Sequence, residues 1–408
     1  MSKRPPLKSS VLLGVAKVLP RCRWCYCSPA KFSNGFISLV LNGSKGSFTL
    51  VSQQNWPQVH GVPAIQGQLK SVDEDFFVDE IAAEKPSGEG KFLWLQVEKK
   101  STNTDWMIRE IAKTIEAKPE QIGYAGLKDR HAVTRQWISL PGFFERKLEQ
   151  QDHVAGFKIL QRERSKQPLK PGMLKGNRFE IRIRQLSAAE GQPELTQNEI
   201  EQQLNQKLQK IAAEGFANYF TEQRFGYENI AVAKDFLEKD KPVAQSKQGF
   251  YFSVARSLIF NDYLAQRIQR QNWNQCIEAD LLLEHETGKQ KFAPEIARFA
   301  ATVAKGKLSP SGPMYGKGEP RAGGQAYSLE KQVISLHSDL AVGLISYGLK
   351  MKRRSLRIFA QALSWRFEEN DLLLQFELPA GCYATALIRE LVDYRSASQQ
   401  PNDRLASN

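Results

Sequence analysis

The clearest pattern of apolar and polar positions runs through LKGNRFEIRIRQL, residues 174–186. Phe179, Ile181 and Ile183 alternate with Arg178, Glu180, Arg182 and Arg184. Period two predicts a strand with one buried and one charged face. The stretch GQLKSVDEDFFVDEI, from Gly67, reads as a strand, a turn at Asp73–Glu74–Asp75 and a second strand. FLWLQVEKK, residues 92–100, reads as a strand that leaves a core and ends in charge. STNTDWMIREIAKTIEAKPE changes the period. Ile108, Ile111 and Ile115 recur at helical spacing, Ser101 or Thr104 can cap the first turn, and Pro119 marks the end. TQNEIEQQLNQKLQKIAAEG predicts another helix, closed by Gly215.

Residues 217–350 read as mostly helical, in ENIAVAKDFLEK, SVARSLIFNDYLAQRIQR and APEIARFAATVAKG, which a Pro/Gly-rich loop, LSPSGPMYGKGEPRAGGQ, follows. Strand patterns return in SWRFEENDLLLQFELPAG, with a turn at Glu-Glu-Asn-Asp, and YATALIRELVDY closes as a helix. The order strand-rich, helical, strand-rich predicts an α/β (α+β) catalytic domain interrupted by an inserted helical domain. The expected divisions are 61–216, 217–350 and 351–400, preceded by a basic leader over 1–60.

Charge changes this picture mainly at the leader. The 408 residues carry a net +13, but residues 1–60 hold eight Lys/Arg and no acid. The body is therefore only mildly basic, and a phosphate-binding surface must be a local patch. Five cysteines (Cys22, Cys25, Cys27, Cys276 and Cys382) do not form a secreted disulfide framework, which favours the cytoplasm. No apolar run reaches membrane-spanning length. CRWCYC, residues 22–27, lacks a second thiol pair or nearby histidines for zinc. The leader can be a targeting segment or a start codon placed too far upstream, and the second is the expectation here.

Several chemistries have no motif. The P-loop, the dinucleotide glycine fingerprint and the GxSxG elbow are all missing, and His131, His153, His285 and His337 lack ligand spacing. The expectation is a reaction without metal or cofactor. The candidate groups that remain are a carboxylate and aromatic side chains. In GYAGLKDRHAVTRQW, residues 123–137, Asp129 occupies a glycine-flanked turn between a helix and a strand. Lys128 and Arg130 beside it favour the ionised form. Taken locally, a surface Asx-turn is the default reading, and a catalyst presented into a cleft is the alternative. Phe76, Asn177 and Phe179 each admit a structural reading too, as core rings and a turn residue. Their functional reading is a platform and an amide edge for a nucleobase.

Together these stretches resemble the TruD family of tRNA pseudouridine synthases over roughly residues 61–395. GYAGLKDRHAVTRQW is similar to the family's signature, DEDFFVDE to its DFxVxE element and GNRFEIRIR to its GNxF element. NYFTEQRFG, LSPSGPMYG and GCYATALIREL agree, in the family's order. The resemblance implies a pseudouridine synthase catalytic domain with a mainly antiparallel mixed sheet, and a helix-rich TRUD insertion forming the far wall of an RNA cleft. It implies isomerisation of a tRNA uridine, at position 13 of the D-arm, without cofactor. Asp129 falls on the catalytic position, Phe76, Asn177 and Phe179 on base-contacting positions, and Lys70 becomes a candidate charge partner for Asp129. An Asn amide can offer the uracil edge a donor and an acceptor. Lys128, Arg130, Arg182, Arg184, Lys350, Lys352, Arg353, Arg354 and Arg357 become candidate RNA backbone contacts, the dense run 350–357 above all. His131 takes no role. The expected partner is tRNA, with the enzyme a monomer. An RNA-binding protein without catalysis is the rival reading.

Overall fold

In the computed structural model the described residues are 56–396, apart from 149–152, 155, 227 and 240. The cysteine-bearing leader, with Cys22, Cys25 and Cys27, lies outside them. The strand-rich first part comprises β1 (Ile65–Leu69), β2 (Phe76–Ala82), β3 (Phe92–Lys100), α1 (Thr104–Thr114), β4 (Gly123–Tyr124) and β5 (Val133–Pro141). It continues with α2 (Glu145–Leu148), β6 (His153–Val154), β7 (Phe157–Ser165), the long β8 (Leu174–Ala188), α3 (Gln197–Glu214) and β9 (Phe216–Ala217). The middle part contains α4 (Glu222–Phe225), α5 (Asn229–Glu238), α6 (Gln245–Gln269), β10 (Asp280–Glu284), β11 (Gln290–Ala293) and α7 (Ile296–Ala304). It goes on through β12 (Leu308–Met314), α8 (Gly324–Leu336), α9 (Ser338–Ser346) and β13 (Lys352–Ser355). The chain then closes with β14 (Arg357–Ile358), β15 (Gln361–Glu368), β16 (Asp371–Pro379), α10 (Ala384–Leu391) and β17 (Asp393–Ser396).

The main sheet has the order β15-β16-β8-β2-β5-β3-β7-β6, with β1 on the second half of β8, β17 beside β1, and β4 on β5. Its ladders are antiparallel except β2–β5 and β1–β17. This is the expected mixed α/β class. The alternation in β8 holds: Phe179, Ile181 and Ile183 are buried, and they pack with α3 and α10 in one core. Leu204, Leu208 and Ile211 of α3 and Leu387, Ile388 and Leu391 of α10 supply its other side. A second core forms where Met107, Ile108 and Ile111 of α1 meet Leu93, Leu95 and Val97 of β3. Thr196 and Glu199 cap α3 reciprocally, and Gly215 ends it at φ +75°. The N-cap of α1 is Asn103 rather than Ser101 or Thr104.

Two expectations fail. LSPSGPM is not a loop but the buried strand β12, central in a second sheet of order β11-β10-β12-β13. Proline and glycine promise a loop because they remove a donor and a side chain. Here the missing side chain is what the site needs: a Cβ on Gly312 would come within 2.8 Å of Tyr263 and 3.0 Å of Phe260 on α6. The fold also begins before Gly61. Trp56 is buried, its indole Nε1 donates to Asp262 Oδ1 on α6 at 2.9 Å, and its ring stacks on Tyr219 at 5.7 Å. The backbone N–H groups of Val59 and His60 both donate to Glu390 Oε2 on α10, at 3.0 and 3.1 Å. Burial pushes the Glu390 carboxyl up to about 7. Residues 56–60 thus tie α10 to α6, a role that no local pattern announces.

Candidate active site

The parallel pairing of β2 with β5 decides where Asp129 goes. Phe77 pairs with Val133, so the two strands start side by side and the loop before β5 arrives at the start of β2. Phe76 opens β2, and Lys70 follows β1 just upstream. Lys70 Nζ lies 3.1 Å from Asp129 Oδ2 and 4.1 Å from the centroid of the Phe76 ring. The lysine side chain is 7% exposed and that of Asp129 38%, so the carboxylate reaches solvent while its cation does not. Lys70 has φ +58°, in the left-handed region. A non-glycine residue held there costs on the order of 1–3 kcal/mol, which the surrounding structure must offset.

The loop itself is pinned at two backbone atoms. The Lys128 N–H donates to Thr104 Oγ1 of α1 at 3.1 Å, and the hydroxyl in turn donates to Gln136 of β5 at 3.0 Å. Lys99 Nζ of β3 donates to the Asp129 carbonyl at 2.6 Å. Gly123 sits where a Cβ would fall 2.3 Å from the Leu169 carbonyl, which explains the glycine at the head of the motif.

Lys99 is 1% exposed, and burial brings its ammonium down to about 8. The charges around it come from the loop (Asp129 and Lys128) and from the β1–β2 turn (Asp73 and Lys70). For a base whose folded value is depressed, the folded chain holds fewer protons than the unfolded one between the two values. Stability therefore rises as pH climbs through that window and falls as pH drops back through the folded value. Relative to Lys99→Met, the wild-type unfolding free energy is expected to gain about 1–2 kcal/mol from about pH 7.5 to about pH 9.5. Urea unfolding at both pH values measures it, and parallel pH dependences would refute the burial of a charged Lys99.

The base-contact candidates converge on the same place. Phe179 stands edge-on to Phe76, with centroids 6.2 Å apart at 74°, and stacks on Phe376 at 5.4 Å. Both candidate rings are buried, at 2% and 6% exposure, so they form the floor of the site rather than an open platform. Asn177 is on the same face of β8 and pairs in register with Glu80 of β2. Gly176 before it leaves room for the Leu378 carbonyl, 2.3 Å from where a Cβ would lie.

The basic residues divide sharply. Lys128 is not a surface cation: its side chain is 6% exposed, and Nζ is 2.9 Å from Glu80 Oε2 and 2.7 Å from Asn177 Oδ1. Arg182 and Arg184 lie on the opposite face of β8 from Phe179. Arg182 pairs with Glu368 and Asp371, and Arg184 with the buried Asp75. Arg353 pairs with Glu330 at 2.6 Å with both side chains enclosed, and Arg357 is 2% exposed and donates to Ser309, Val303 and Leu308. Arg354 donates to Gly381 and Asn218 and covers the Phe220 ring at 4.0 Å. Phosphate contact by Arg353 and Arg357 is therefore corrected, because their guanidinium donors are used inside the fold. Lys350 and Lys352 remain exposed, and Arg130 is half-buried beside Asp129.

Sequence reasoning missed Lys99, Glu80 and Thr104. For two of them a signal existed. Lys99 follows Leu95 and Val97 in the buried phase of β3, and Glu80 follows Phe76 and Val78 in that of β2. A charge in a buried phase implies an internal partner.

The fold is of the mixed α/β class, and its candidate site sets a lysine-paired carboxylate above two buried aromatic rings. Comparison with known proteins places it further. The family model described as tRNA pseudouridine synthase D (TruD) matches residues 58–244 and 233–391. The chain is 38% identical over 342 residues to the tRNA pseudouridine synthase D of Stutzerimonas stutzeri, covering 82% of this chain and 95% of that one. It is 36% identical over 352 residues to the Pseudomonas aeruginosa (strain LESB58) protein of the same name, covering 85% and 96%. A solved TruD structure from Methanosarcina mazei shares the fold, with a TM-score of 0.63 at 20% identity over 82% of this chain and 95% of that chain. The chain belongs to the TruD family of tRNA pseudouridine synthases.

Proposed function

We propose that Asp129 is the group with which this tRNA pseudouridine synthase isomerises one uridine, at position 13 of the tRNA D-arm. The observation that carries the reading is the Lys70–Asp129 pair, 3.1 Å apart and set above the Phe76 ring. A carboxylate beside a fixed ammonium can act as nucleophile or base without a metal. Among the described residues no cluster of His, Cys, Asp and Glu is placed to hold one. In the reaction the bond from C1′ to N1 breaks and uracil leaves as an anion. Asp129 either attacks C1′, forming a bond that breaks again when C5 displaces the carboxylate, or removes the C2′ proton and returns it as the C1′–C5 bond forms. The base turns, C1′ bonds to C5, the C5 proton is lost, and N1 gains one, so atoms balance. A flipped base lying over Phe76 and Phe179 meets apolar surface, which needs no sequence readout.

Lys350, Lys352 and Arg130 are the surface cations proposed to meet phosphate, and residues 217–350 the inserted wall of the cleft. The cytoplasm is the proposed compartment and a monomer the proposed state; no helix among the described residues is long and apolar enough to cross a membrane. Incubating the purified protein with an unmodified tRNA transcript and mapping pseudouridine tests the reading. Product confined to position 13 is expected. Product at another uridine would refute the site, and salt-sensitive RNA binding without product would favour the non-catalytic rival.

A further inference from the structure

Lys128 fixes more than the loop it belongs to. A lysine ammonium only donates hydrogen bonds, so its 2.7 Å contact identifies the Asn177 atom it touches as the carbonyl Oδ1. The amide cannot be turned the other way without placing its NH2 against an ammonium. Glu80, 1% exposed and 2.9 Å from the same Nζ, neutralises the lysine and holds it. Register makes the arrangement rigid, because Glu80 and Asn177 are direct cross-strand partners on one face of β2 and β8. The Trp137 N–H, 3.4 Å from the other Glu80 oxygen, ties the carboxylate to β5 as well. With Oδ1 on the lysine, Nδ2 is the edge of the amide that the Lys128 contact leaves open.

We infer that Glu80 and Lys128 are positioning residues that commit Asn177 to presenting N–H donors to the target base. The inference rests on the reading that Asn177 meets the uracil. Its consequence concerns the turn of the base. Uracil has a pseudo-twofold axis through N3 and C6. Rotation about that axis exchanges N1 with C5 and carries O2 to the place of O4. An NH2 donor aimed at one carbonyl before the turn therefore meets the other carbonyl after it. The same donor holds the base through both halves of the isomerisation. Cytosine would bring its amino group against the donor in one of the two orientations. The lysine also polarises the amide carbonyl, which strengthens donation from the NH2.

Thio-substituted RNA tests this. Target uridines carrying sulfur at O2 or at O4 are compared with normal RNA by single-turnover product formation, read by chromatography of the digested nucleosides. In the wild type both substitutions are expected to slow product formation, each by about tenfold, the worth of one hydrogen bond. Lys128→Met and Asn177→Ala are expected to be slow with normal RNA and nearly indifferent to sulfur. Because Lys128→Met alone leaves Glu80 buried without its cation, the double variant Glu80→Gln/Lys128→Met is run beside it. A wild type insensitive to both sulfurs, or variants that keep the full sulfur penalty, would overturn the inference. Sensitivity to only one sulfur would overturn the role after the turn. Wild-type product with normal RNA, together with an unimpaired Asn177→Ala, would instead remove the base contact itself.

Discussion

Asp129→Asn is expected to abolish pseudouridine formation, lowering the single-turnover rate by about a thousandfold or more while tRNA affinity changes little. The amide is nearly isosteric with the carboxylate but neither attacks a sugar carbon nor takes its proton, and loss of a positioned general base typically costs about 10²–10⁴-fold. Affinity is expected to survive because phosphate contacts dominate RNA binding and the cations proposed for them are other side chains. The fold is expected to survive because the Asp129 backbone is held independently of its side chain. Its carbonyl accepts from Lys99, and the preceding N–H is held by Thr104. A filter-binding titration and a chromatographic product assay on the same preparation check both halves. Equal product from variant and wild type would remove Asp129 from the mechanism.

Trp56→Ala is expected to cost about 3–5 kcal/mol of stability, the usual penalty for removing a buried aromatic ring. Trp56 is 6% exposed, stacks on Tyr219, contacts Phe225 at 5.1 Å and donates to Asp262. Asp262 is itself buried and also paired with His337 at 2.7 Å, so losing the indole leaves an acidic group short of one partner. Trp56→Phe keeps most of the apolar area, and its cost is expected near the value of the hydrogen bond, about 1–2 kcal/mol. Denaturant midpoints of the three proteins give the comparison. A loss below about 1 kcal/mol for Trp56→Ala would show that residues 56–60 rest on the surface without holding it. The consequence for function is geometric. The Trp56 carbonyl accepts from Arg389 on α10 while its ring reaches α6, so the same five residues link the closing helix to α6.

Much of the fold was legible because its signals are local. The period-two alternation of β8, the Ile108–Ile111–Ile115 stripe of α1 and the glycine after α3 each depend on neighbours in sequence. Asp129 became a catalytic candidate only in company: its own turn read as surface, and the motifs around Phe76 and Asn177 changed that. Basic side chains were the least legible. Arg353 and Lys352 are adjacent and alike in charge, yet Arg353 is enclosed against Glu330 and Lys352 faces solvent. What separates them is a carboxylate on α8, 23 residues away.

The sequence by itself determined the class of fold, the family and many of its helices and strands, because periodicity, caps and a fifteen-residue motif are carried by residues close together in the chain. The tertiary structure alone decided which partner each lysine meets. Lys70 reaches Asp129 across 59 residues, Lys99 reaches the Asp129 carbonyl across 30, and Lys128 turns inward to an acid on β2 and an amide on β8. The energy of a charge depends on its desolvation and on its partner, and both are fixed only when distant strands meet.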